Sequence, residues 1–157
     1  MSARAQIVCN ILDSLKQIDS TQDDSFETKV DAVREGDIFA PNDIAASIAL
    51  GVFIQAYGSS SIRVKMGDSS IEVQKTMTVG IRAVVRSTVK DIGNKMSGLV
   101  SDIELAMYQD RRRGNSKLPV NTPQMSISQE GVDPSGSAAL GQFLASVLVT
   151  WSEAINT

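Results

Sequence analysis

The chain has 157 residues, 42% of them hydrophobic and only 4% aromatic, a formal net charge of −3 and no histidine. That length suits one domain, the apolar content excludes a disordered chain, and the lack of imidazole excludes the Ser-His and Cys-His dyads of most familiar hydrolases. A single cysteine, Cys9, excludes an intramolecular disulfide and a multi-thiolate zinc site, and with no apolar signal segment after Met1 the expected setting is reducing and cytoplasmic.

With so few aromatics the core must come from Ile, Val, Leu, Met and Ala, which favours packed helices. The expected fold class is mainly α: a bundle of about five helices with one β-hairpin at about 60–75 and a long polar arm at 114–136, in one domain over 1–157. Ala5, Val8, Ile11, Leu12, Leu15 and Ile18 recur at three- and four-residue spacing and predict a first helix over 4–18, with Cys9 beside its apolar face as core filler. The polar run Asp19 to Asp24 reads as a loop, with Asp24 or Ser25 as the cap of a short second helix bearing Phe26, Val30 and Val33 and ending near Gly36. Asn42 is then the expected cap of an uncharged third helix to Tyr57, carrying Ile44, Ile48, Val52 and Phe53.

From Ser60 the apolar period falls to two: Ile62, Val64 and Met66 alternate with Arg63 and Lys65, and Ile71 and Val73 with Glu72 and Gln74. A two-residue turn at Gly67-Asp68 would place Arg63 opposite Glu72. Ile81, Val85, Thr88, Ile92, Met96, Leu99, Ile103 and Ala106 then predict one long helix over 78–110, and Leu140, Phe143, Leu144, Val147, Leu148, Trp151 and Ile155 a closing helix from Ser137. The uncharged stretch Pro134 to Ser152 is not expected to span a membrane, because Ser135, Ser137, Gln142, Ser146 and Thr150 interrupt it and no basic residue flanks it.

No phosphate-binding glycine loop or nucleophile elbow occurs. Ser87-Thr88-Val89-Lys90 fits S-x-x-K without the companion motifs, and Asp19, Asp23 and Asp24 are better explained by a capping turn than by a cation. No catalytic residue, metal or cofactor is therefore expected. The charge is segregated. Residues 1–43 hold four cations against nine anions and residues 60–117 eleven against six. Arg82, Arg86 and Lys90 would wind along the long helix near Arg63 and Lys65 from the hairpin, with Arg111, Arg112 and Arg113 at the helix end, and these eight are the candidate nucleic-acid or anion-binding residues. The expected function is that of a non-enzymatic structural protein that self-assembles, such as a viral coat or nucleocapsid subunit holding RNA on its basic centre, placed in the virion or the cytoplasm. Its partners would be itself and RNA. The alternative is a small cytosolic adaptor or secretion-type chaperone acting as a dimer.

Overall fold

The computed structural model describes residues 2–38, 44–66, 70–109 and 121–156. In chain order they form α1 (Ala3–Lys16), β1 (Ala32–Glu35), β2 (Ile48–Met66), β3 (Ser70–Thr88), α2 (Ile92–Gln109), β4 (Asn121–Ser135) and β5 (Ala138–Asn156). The chain is 50% strand and 27% helix, so the expected five-helix bundle is overturned. The described strands make one sheet in the order β1-β2-β3-β5-β4, antiparallel throughout except for the parallel β1–β2 pair.

α1 follows the predicted spacing. The Ser2 hydroxyl caps it by accepting from the Ala5 amide at 3.2 Å, and Ile7, Val8, Ile11, Leu12 and Leu15 are buried. Cys9 is exposed and is not core filler. The second expected helix is instead an irregular segment leading into β1, which ends where Gly36 takes φ 103°, a backbone conformation that suits glycine. The third is the first half of β2, and the position of its proposed cap, Asn42, lies outside the described residues. The long periodic series crosses a boundary: Ile81 and Val85 belong to β3, the chain turns at 89–91, and Ile92, Met96, Leu99, Ile103 and Ala106 line the buried side of α2. The closing helix is β5, and the second part of the supposed arm, Asn121 to Ser135, is β4.

These errors share one cause. From Val79 to Val85 every β3 residue except Arg82 is buried, and from Phe143 to Trp151 every residue is buried except half-buried Ser146, Leu148 and Thr150. A strand covered on both faces loses its polar alternation, and an apolar run always supplies residues three and four apart. β-branched Val79, Ile81, Val84, Val85, Val147 and Val149 were the signal for strand.

One face of the sheet packs on the helices. Leu50, Val52, Val79, Ile81, Phe143, Ala145 and Val147 meet Ile7, Ile11 and Leu15 of α1 and Met96, Leu99 and Ile103 of α2 in one buried cluster. Each such large side chain contributes about 1.5–3 kcal/mol on burial. The other face is partly covered by both ends of the 36–47 segment, where Ile38 packs with Ala49 and Val84 beside Ile44, Ala46 and Leu140. Gly51 makes room for this: a Cβ there would lie 2.6 Å from the Gly36 carbonyl oxygen and 2.8 Å from Ile38.

Length separates the two ends of the sheet. β2, β3 and β5 have 19 residues each, about 63 Å of strand, whereas α2 with 18 residues spans about 27 Å. The β2–β3 and β3–β5 ladders run on to Met66↔Ile71 and Ser70↔Asn156, well past the reach of either helix.

Candidate interaction edges

The structure scatters the eight basic candidates. Arg63 and Lys65 lie in the far half of β2 at register positions opposite Val73 and Glu72, one place away from the expected Arg63–Glu72 pairing. The proposed Gly67-Asp68 turn lies outside the described residues, as do Arg111, Arg112 and Arg113. Lys90 is exposed in the turn between β3 and α2. Arg82 and Arg86 sit on one face of β3 rather than on a helix, and both guanidinium groups hold the 36–47 segment: Arg82 Nε donates to Asp37 Oδ1 at 2.9 Å, and Arg86 Nη1 donates to the carbonyls of Ala46, at 3.0 Å, and Ile44. Their sequence signal, a basic residue every fourth position, fits a strand face as well as a helix face.

Ser87 and Lys90 are divided between the end of β3 and the turn, so the one-turn helical spacing behind the S-x-x-K reading does not exist. Asp19 Oδ1 accepts from the Thr21 amide and hydroxyl, at 2.9 and 2.6 Å, and Asp23 Oδ1 from the Ser25 amide at 2.9 Å. These are local turns of the kind aspartates favour, and the hydrogen bonds hold both carboxyls below their ordinary range.

Two carboxylates that sequence reasoning passed over carry more structure. Asp102 is 1% exposed on α2, and its oxygens accept from the amides of Glu27 and Thr28, at 2.9 and 2.7 Å, and from the Thr28 hydroxyl. It fastens the 17–31 segment to α2. Glu153 on β5 accepts from Lys75 Nζ at 2.6 Å and from the Trp151 indole N–H at 2.9 Å, and these two bonds, the lysine's first, pull its carboxyl below the usual glutamate range. Nothing in a linear sequence pairs residue 75 with 153. An aspartate inside the apolar spacing of α2, between Leu99 and Ile103, was the available sign for Asp102.

The described surface offers little apolar area for docking. Its exposed large hydrophobic residues are Val89, Tyr108 and Val132, on three different elements. A hollow of about 320 Å³ beside the irregularity in β4 is lined by Arg82, Gly131, Val132, Asp133, Leu140 and Gln142. Its arginine is already engaged by Asp37.

What the fold does expose is backbone. β4 is the outermost strand on one side, 15 residues long, and among the described residues nothing pairs with its outer edge. On the other side β1 covers β2 only from Ala49 to Val52, and from Phe53 to Met66 no described residue joins that edge. Alternate N–H and C=O groups along both edges point away from the sheet, a template for another strand. Ladder shifts between Ser128 and Gly131 in β4, and at Ile54/Ala56, Gly58/Ile62 and Arg63/Lys65 in β2, bend these edges, and Pro123 and Pro134 remove two donors. No described helix is long and apolar enough to cross a membrane.

No protein-family model matches this chain, and no curated protein matches it. A solved structure named only by a sequence identifier is similar over 88% of this chain and 94% of its own, at 12% identity and a TM-score of 0.37, a level from which neither fold nor function transfers.

Proposed function

We propose that this is a non-enzymatic structural protein that works by assembling with copies of itself. The observation that carries the reading is the pair of long strand edges, on opposite sides of one sheet, that no described residue pairs. Natural sheets shorten, cover or charge such edges, because unpaired ladders recruit other strands. An isolated edge of this length persists most readily when a neighbouring chain completes it. A coat or nucleocapsid role extends this reading by adding RNA, for which Arg63, Lys65 and Lys90 are the remaining described candidates.

The test is light scattering behind size-exclusion chromatography over a hundredfold range of protein concentration, with absorbance at 260 and 280 nm recorded. A mass that grows with concentration beyond a dimer is expected, and an excess at 260 nm lost in high salt would add the RNA role. A chain that stays monomeric throughout overturns the proposal, and a closed dimer free of nucleic acid transfers it to the adaptor reading.

A further inference from the structure

The two open edges carry opposite charge. From Asn121 to Ser135 the only charged residues are the acids Glu130 and Asp133, and from Phe53 to Met66 the only charged residues are the bases Arg63 and Lys65. Resting on the self-assembly proposed above, we infer that the partner of the β4 edge is the β2 edge of a second copy of this chain, so that assembly is head-to-tail.

The alternatives are disfavoured by the same residues. A two-fold β4–β4 contact puts only carboxylates along its seam and a two-fold β2–β2 contact only cations, whereas β4 laid parallel to β2, with both strands ending at one level, sets Glu130 and Asp133 at the level of Arg63 and Lys65. Like charges juxtaposed across an interface select against that partner, and opposite charges select for it. The lengths agree as well, since the open part of β2 is nearly as long as β4. The bends in both edges work in the same direction: an irregular edge pairs poorly with an arbitrary strand, which leaves charge and shape to choose the neighbour. A contact between two different patches leaves one unused edge of each kind at the ends of any open assembly. It therefore repeats, closing into a ring or continuing as a filament.

The test uses the full chain in four samples: the wild type, the doubly substituted Glu130→Lys/Asp133→Lys, the doubly substituted Arg63→Glu/Lys65→Glu, and an equimolar mixture of the two variants. All are checked for folding by circular dichroism and then sized by light scattering. Each variant alone carries like charge on both edges and is expected at monomer mass, while in the mixture basic β4 meets acidic β2 and acidic β4 meets basic β2, restoring the wild-type size. An Arg63→Glu/Lys65→Glu variant that assembles as the wild type does would overturn the inference, and so would a mixture of folded variants that stays monomeric. If either variant fails to fold, the wild type decides alone: its apparent dissociation constant should rise about tenfold or more between 50 and 500 mM salt, and a salt-independent value contradicts the charge pairing. A wild type that never assembles removes the proposed function and this inference together, whereas assembly indifferent to the substitutions removes the inference and leaves the function standing.

Discussion

The two halves of β3 show how one strand meets two environments. From Val79 to Val85 it lies between helices on one face and the ends of the 36–47 segment on the other, and only Arg82 escapes full burial. From Glu72 to Thr76 only Val73 is buried, and its neighbours are half-exposed. The far half keeps the alternation of a strand with one wet face, and the hairpin over 60–75 is legible there. The near half is apolar in both directions and imitates a helix. Where burial is greatest, the period that reveals secondary structure is weakest.

Substitutions sharpen that contrast. Phe143, fully buried beneath the helices, should cost about 3–5 kcal/mol when truncated to Ala, while Thr76→Ala in the far half, which loses a 3.1 Å bond to the Gly58 carbonyl, should cost about 1 kcal/mol or less. Urea titrations giving similar losses at both sites would erase the distinction. Asp102→Ala should follow at about 3 kcal/mol, because it strands the buried amide and hydroxyl of Thr28 and the part-buried amide of Glu27, with Asp102→Asn intermediate since one acceptor oxygen survives.

Arg82→Ala is expected to cost about 1 kcal/mol, the ion pair with Asp37 being partly exposed, and to make the 36–47 segment more open to limited proteolysis. Unchanged cleavage would mean that Arg82 does not hold that segment down. Gly136, at φ 65° in the two-residue turn joining Ser135 to Ala138, should lose about 1 kcal/mol on substitution by Ala.

The smallest effect is in pH. The folded-state carboxyl of Glu153 is held below its ordinary range, so its contribution is complete above that range and is lost as pH falls through the folded value. Lys75→Met removes the larger cause and should flatten this part of the acid limb of stability against pH, leaving the shares of Asp19 and Asp23 in place. An unchanged limb in the Lys75→Met protein would assign the acid sensitivity elsewhere.

Two elements were plain in the sequence, α1 from its spacing and the far hairpin from its alternation, and so was α2, the second half of the long series once it is cut at Thr88. The interaction edges were not. Whether a strand is central or outermost depends on the partners it finds, and the order β1-β2-β3-β5-β4 places β5, the last strand in the chain, between β3 and β4. The acids Glu130 and Asp133 and the bases Arg63 and Lys65 were visible as charge segregation, but without the topology nothing assigned them to opposite margins of one sheet. Arg82 and Arg86 illustrate the converse. Their spacing was correctly noticed, and the fold uses it to secure the 36–47 segment.

The most direct measurement is site-resolved amide hydrogen exchange at low and high protein concentration. Two covered faces, and two edges that no described residue pairs, predict slow exchange over 79–85 and 143–149 at every concentration, with the amides of β4 and of residues 53–66 that are not bonded to β5 or β3 becoming protected only as concentration rises. Helix-like protection running continuously from 78 to 109, or edges equally protected in the dilute monomer, would contradict it.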